Sequence, residues 1–227
     1  MELLLERIDS EVFSKCKNVL EIIASKYLEY CEEWDNNCDI QINMNKKYIC
    51  DIYSLENGEL DNGFKESIEI FNDLAEDLRF DLIEEIDDKI GLSDDFKFSS
   101  RIKTRESLIQ KILKKMNEEN GKIKILKLIN DLLGLRIVVP SFREELNKIN
   151  NLNLTQYKAF ENCKIRILDR NLATGYKAYH IYIRRDNKTF PIELQIWDKE
   201  DEENNINLHT DHKEEYVKNI IEDFNKY

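Results

Sequence analysis

Asp131-Leu-Leu-Gly-Leu-Arg136-Ile-Val-Val139 and Ile192-Glu193-Leu-Gln195-Ile196 are the two stretches on which the fold turns. Each is an apolar run of strand length that carries its polar side chains on one face. In the second run Glu193 and Gln195 share a face and the isoleucines and leucine take the other, so acid and amide must point somewhere polar. Arg136 in the middle of the first run needs a partner, because a buried charge without one is costly. Upstream, Arg101-Ile-Lys103-Thr-Arg-Glu-Ser107-x3-Lys111 reads as a basic strand-to-helix entry. Thr104 caps the helix, and Ser107 and Lys111, four apart, lie on one helix face. Between these pieces, Gly175-Tyr176-Lys-Ala-Tyr-His180 puts Tyr176 and His180 on one strand face with Ala178 between them. Two carboxylates on separate strands, ringed by Arg and Lys, suit a magnesium–nucleotide site, since Mg²⁺ takes one or two carboxylates plus substrate phosphates.

Outward from this segment, the N-terminal part changes character. Residues 2–35 repeat apolar side chains at three- and four-residue steps and read as helix, as do residues 64–90. Between them, residues 39–54 alternate (Ile40, Ile42, Met44, then Tyr48 to Tyr53) around Asn45-Lys-Lys, which predicts a hairpin outside the core sheet. The acids of the second helix read as a solvated face, or as a surface for a basic partner such as a sister subunit. Short helices are expected over 123–132 and 142–151, strands over 163–168, 179–184 and 190–196, and a mostly helical tail over 200–224. Strands interleaved with helices in this way give an α+β fold, a mixed β-sheet flanked by helices, behind a mainly helical N-terminal part. The expected division is 1–94 and 95–227.

Charge follows the same division. Residues 1–100 carry 26 acids against 10 bases, residues 101–198 carry 20 bases against 11 acids, and the whole chain has a net charge of -12. Positive potential therefore sits on the segment with the motifs, where it attracts a phosphate-rich ligand, while the molecule as a whole repels a long duplex. No apolar run approaches the roughly 18–20 residues of a membrane span, and Met1-Glu-Leu-Leu-Leu-Glu-Arg lacks the pattern of a signal peptide, so a cytoplasmic protein without membrane contact is expected. The five cysteines show no C-x2-C pair and read as reduced thiols. A metal gathered by Cys31, Cys38 and Cys50, or by His209 and His212, is the weaker alternative.

Taken singly, the motifs are ambiguous: a basic helix start also decorates surfaces, an acid before a strand also caps an end, and Tyr and His on a strand also make cross-strand core pairs. Four of them in this order, over about residues 95–217, resemble the synthetase domain of the RelA/SpoT family, the alarmone (ppGpp) synthetases. The resemblance implies a nucleotidyltransferase-like synthetase domain that transfers the β,γ-pyrophosphate of ATP to the 3′-hydroxyl of GDP or GTP. It implies that Arg101 and Arg136 stack the adenine and that Lys103, Ser107 and Lys111 contact ATP phosphates. Asp131 and Glu193 hold Mg²⁺ and are the catalytic pair, Glu193 as general base. Tyr176, His180 and Gln195 form the acceptor side, Tyr176 stacking its base.

The departures from the family pattern fall on that acceptor side. Leu172 and Thr174 stand where a lysine and an asparagine are usual, Ala178 where a serine is, Trp197 where an arginine is, and Glu202 in place of a downstream asparagine. Arg170 is a candidate substitute for the missing lysine. Donor and reaction type are thus better supported than the acceptor. Two alternatives stay open: a toxin-like member that modifies the 3′-terminal adenosine of tRNA, and a non-catalytic nucleotide-binding module. Partners expected from the sequence are ATP and GDP or GTP, with tRNA and a homo-oligomer as further alternatives.

Overall fold

The structure, a computed structural model, describes residues 11–39, 42–54, 56–140, 142–143 and 161–210. Helix α1 (Glu11–Asn37) buries Val19, Ile23, Tyr27, Tyr30 and Trp34 along one stripe. After a 3-10 turn at Ile49–Asp51, strands β1 (Tyr53–Ser54) and β2 (Glu59–Leu60) form a two-residue ladder. Helix α2 (Asn62–Ile90) starts at Asp61, whose carboxylate accepts the Phe64 N–H, and buries Phe64, Phe71, Leu78, Leu82 and Ile86. Strand β3 (Lys97–Ile102) leads into α3 (Arg105–Glu119), capped as expected by Thr104, and a single turn, α4 (Ile125–Leu128), precedes β4 (Leu133–Val139). Strands β5 (Lys164–Asn171), β6 (Lys177–Arg184) and β7 (Ile192–Asp198) complete a five-stranded sheet of order β3-β4-β7-β6-β5. Among the described strands only β4 and β7 run parallel; the other neighbours are antiparallel, so the sheet is mixed as expected.

The pleat sorts the side chains of this sheet into two unlike faces. Leu133, Leu135, Ile137 and Val139 of β4, Ile192, Leu194 and Ile196 of β7, and Ile181 and Ile183 of β6 join one buried cluster with the apolar stripes of α1 and α2. Phe190 sits in the joint, its ring 5.0 Å from Trp34 and 4.8 Å from Phe71. The opposite face carries Ser99 and Arg101 of β3, Gly134 and Arg136 of β4, Glu193, Gln195 and Trp197 of β7, and His180 and Tyr182 of β6. The register aligns them in rows: Arg101, Gly134, Glu193 and Tyr182 in one, Ser99, Arg136, Gln195 and His180 in the next. One face of the sheet builds the core and the other is polar.

Among the described residues of 39–54 the expected hairpin does not form. The turn at Asn43–Lys47 is present, but the chain after it bonds elsewhere: Ile49 N–H donates to Ile123 O, Ile125 N–H to Lys47 O and Leu126 N–H to Met44 O. A long-range partner took the hydrogen bonds that local alternation suggested would close a hairpin. Expected helix over 144–151 and over 211–224 lies outside the described residues, as do Ile40, Asp211, His212 and Tyr216; a helical segment over 202–210 follows β7. Cys31 and Cys38 are buried in the core and Cys50 is exposed, none of them in a disulfide, and the described residues contain no group of three His, Cys, Asp or Glu suited to a metal. No helix among the described residues is long and apolar enough to cross a membrane.

Candidate active site

Three groups of side chains meet on the polar face. The first is an ion cluster where β3 passes into α3. Lys103 Nζ lies 2.6 Å from one Asp131 oxygen and Lys111 Nζ 2.9 Å from the other, and Lys111 also donates to Leu128 O at 2.6 Å. Lys103 follows the end of β3, where its backbone N–H is fixed by Leu132 O, while Lys111 comes from the second turn of α3. Burial acts to raise the Asp131 carboxyl, but the two ammoniums outweigh it and hold the acid below its ordinary value. Burial pushes the Lys111 ammonium below the usual lysine range, with Asp131 and Glu193 both acting against the shift. Lys111 thus lies within electrostatic reach of both predicted metal carboxylates. Ser107 sits in the first turn of α3, where its hydroxyl accepts from Thr104 Oγ1 at 3.2 Å.

The second group is a hydrogen-bonded chain across β6 and β7. The Tyr176 hydroxyl is 3.0 Å from His180 Nε2, His180 Nδ1 is 2.8 Å from Glu193 Oε1, and Gln195 Nε2 donates to Glu193 Oε2 at 3.0 Å. Tyr182, which the sequence reading passed over, brings its hydroxyl to 3.4 Å from His180 Nδ1. Burial would raise the Glu193 carboxyl, yet the bond from His180, its charge, and the bonds from Tyr182 and Gln195 leave it below its ordinary value. Tyr176, burial-shifted up to about 12, keeps its proton at neutral pH.

The third group is a cavity of about 170 Å³ between two arginines, lined by Arg101, Arg136, Ser99, Ser100, Gly134, Leu135 and Gln195. Gln195, expected with the acceptor residues, opens into this cavity. Burial and the neighbouring Arg101 charge lower the Arg136 guanidinium from its ordinary value. Its charge rests on Trp197, whose ring centroid is 3.5 Å from the guanidinium carbon. Trp197 is fully buried and also stacks with His209, while Tyr176 meets both rings at right angles. So the departure at Trp197 is the floor under Arg136, a role that a second arginine there would oppose by like-charge repulsion.

A family model described as a region found in RelA/SpoT proteins matches residues 100–220, more than half of the chain. The chain belongs to the RelA/SpoT family. Comparison with curated proteins returns no match. Among solved structures, small alarmone synthetase 2 from Bacillus subtilis is 24% identical with a TM-score of 0.40, the match covering 66% of this chain and 77% of that one. A GTP pyrophosphokinase family protein from Streptococcus pneumoniae is 20% identical with a TM-score of 0.41, covering 62% of this chain and 71% of that one. Small alarmone synthetase 1 from Bacillus subtilis is 18% identical with a TM-score of 0.39, covering 61% and 73%.

Within this RelA/SpoT chain, two more residues shape the site without having stood out in the sequence. Strand β7 leaves β6 after the Tyr179–Ile196 pair, and there Asn205, fully buried, takes the ladder's place. Its Oδ1 accepts from Lys177 N–H at 3.1 Å and its Nδ2 donates to Lys177 O at 2.8 Å, next to Tyr176 in the chain. Asn204 donates to Gly175 O at 2.9 Å, and Gly175 holds φ +91°, a conformation that suits glycine. The side-chain amides that position Tyr176 thus come from the helical segment after β7.

Proposed function

We propose that this RelA/SpoT chain transfers the β,γ-pyrophosphate of ATP to the 3′-hydroxyl of a guanosine nucleotide, GDP or GTP, releasing AMP. The observation that carries this reading is the convergence of two ammoniums, two guanidiniums and two ionised carboxylates on one face of the sheet. Positioning and charge stabilisation are most of what phosphoryl-type transfer asks of a protein. Arg101 and Arg136 frame the cavity for the adenine. Lys103 and Lys111, now on Asp131, are the cations that an incoming triphosphate would recruit, and Ser107 at the α3 N-terminus adds a hydroxyl and the helix dipole.

The donor set suits a magnesium ion: Asp131 and Glu193 are hard oxygen ligands that the lysines, His180, Tyr182 and Gln195 keep ionised against burial. When bound, the ion supplies charge neutralisation at the phosphates and assists ionisation of the nucleophile. Glu193, oriented by His180 and Gln195, accepts the proton of the attacking hydroxyl. His180 in turn is held by Tyr176 and Tyr182, which fixes the position of the carboxylate oxygen that does this work. Tyr176 and His180 line the acceptor side.

Release of AMP from ATP labelled at its γ-phosphate, with Mg²⁺ present and GDP, GTP and bulk tRNA offered separately, tests the reading. Label arriving on GDP or GTP is the expected result. Asp131→Asn and Glu193→Gln should each lower the rate by about 10²–10⁴-fold, the usual span for losing a base or a positioned charge. Transfer to tRNA alone would reassign the acceptor, and full activity in either variant would overturn the mechanism.

A further inference from the structure

We propose that Gln195 reads the nucleobase of the donor, its side-chain oxygen accepting a hydrogen bond from the exocyclic amine of a 6-aminopurine. This rests on the reading above that the donor base lies between Arg101 and Arg136. Gln195 is in the middle of β7, only 6% exposed, and lies opposite Arg136 on one side and His180 on the other. Its amide nitrogen donates to Glu193 Oε2 at 3.0 Å. An ionised carboxylate can only accept, so this bond decides which way round the amide sits and turns Oε1 away from Glu193.

That oxygen is buried and has no hydrogen-bond partner among the described residues, and neither has Arg136 Nε beside it. Buried acceptors are nearly always paired, because an unpaired one loses its water without replacement. Two orphaned polar atoms on adjacent strands, both belonging to residues that line one cavity of about 170 Å³, mark the cavity as built for a polar occupant. That space is below the ~300–1,000 Å³ of pockets that take a whole drug-sized ligand and suits a single ring system. Two guanidiniums in the lining favour a flat, electron-rich ring, and Trp197 backs one of them. A bare acceptor at the edge of such a slot needs a donor on the ring, which an amino-substituted base carries. A 6-unsubstituted purine would leave Oε1 buried and unpaired, and sites of this kind reject analogues that lack the bonding group.

Direct nucleotide binding without any acceptor tests this apart from catalysis. Titration calorimetry would compare ATP with purine riboside 5′-triphosphate, in which hydrogen replaces the amine. Wild type should bind ATP about 10- to 100-fold tighter than the analogue. Gln195→Met, similar in volume but without the acceptor, should bind the two within about threefold of each other, the ATP affinity falling to meet the analogue's. Equal binding of the two by wild type would overturn the proposal, as would a variant that weakens both by one factor, since Gln195 would then act only through Glu193. The wild-type comparison decides the matter even if the variant fails to fold. ATP binding with the expected preference but no AMP release with any acceptor would leave this inference standing and remove the proposed function. No ATP binding at all would remove both.

Discussion

Asp131 shows how a single carboxylate can hold two cations in place. With 21% of its side chain exposed, it is the common anion for Lys103 and Lys111, whose side chains are 18% and 25% exposed. Asp131→Asn leaves two partly buried ammoniums without their counter-charge. Urea unfolding should show a loss of about 2–3 kcal/mol, below the ~3–5 kcal/mol of fully buried pairs because some water reaches this one. The pH dependence follows from the directions of the shifts. Asp131 and Glu193 both titrate below their ordinary values of 3.8 and 4.5 in the folded protein, so on acidification the unfolded chain takes up protons first. Their contribution is complete above pH ~5 and fades as the pH falls through the folded values. Melting temperature should therefore drop less steeply with acid in Asp131→Asn than in wild type. Trp197 makes the same point on the apolar side. Trp197→Ala opens a buried cavity and removes the support of Arg136, and should cost about 3–5 kcal/mol, whereas an exposed ornamental tryptophan would cost little.

At the scale of elements, the site depends on the parting of β6 and β7. A strand that loses its neighbour exposes backbone donors and acceptors, and Asn205 satisfies those of Lys177 from the following helical segment. Asn205→Ala removes two hydrogen bonds at a buried position, at about 2–3 kcal/mol. It also frees the chain next to Tyr176, so on the proposed reading the acceptor KM should rise while ATP affinity, placed on β3, β4 and Gln195 of β7, stays within about twofold. Equal weakening of donor and acceptor would show that Asn205 supports the whole sheet rather than the Tyr176 side.

For the molecule as a whole, α1 and α2 form the layer that the apolar sheet face requires. Arg185, just beyond β6, ties α1 to the β6–β7 connection: it donates to Cys31 O at 3.0 Å, to Asp35 at 2.8 Å and to Thr189 at 3.0 Å. Tyr27 adds a bond to Phe190 O at 3.0 Å. These bonds fix the β6–β7 connection a few residues before Glu193. Arg185→Ala should lower the melting temperature by about 4–8 °C, taking ~2 kcal/mol for the lost charge-assisted bonds and ~2–4 °C per kcal/mol in a chain of this size. A chain starting at residue 95 would expose the apolar face of β4, β6 and β7 and should be recovered aggregated; a soluble, monomeric fragment with cooperative melting would refute this dependence.

Much of this was legible from local pattern. The strand cores of β4 and β7 follow from apolar runs, the start of α3 from Thr104, and the shared face of Glu193 and Gln195 from the two-residue period of a strand. Those are short-range rules, set by backbone geometry and by which side chains avoid water, and they hold whatever the rest of the chain does. The family resemblance named the residues worth watching. What the sequence could not disclose were partners brought from far along the chain. The 44–50 segment bonds to 121–126 instead of closing a hairpin. Asn205 completes a ladder 28 residues away from its own position. Trp197 becomes the floor of Arg136, and Gln195 keeps its side-chain oxygen unpaired while Glu193 occupies its nitrogen. Each depends on through-space distance and on which hydrogen-bonding groups are left over once the layers have packed, and these exist only in the tertiary structure.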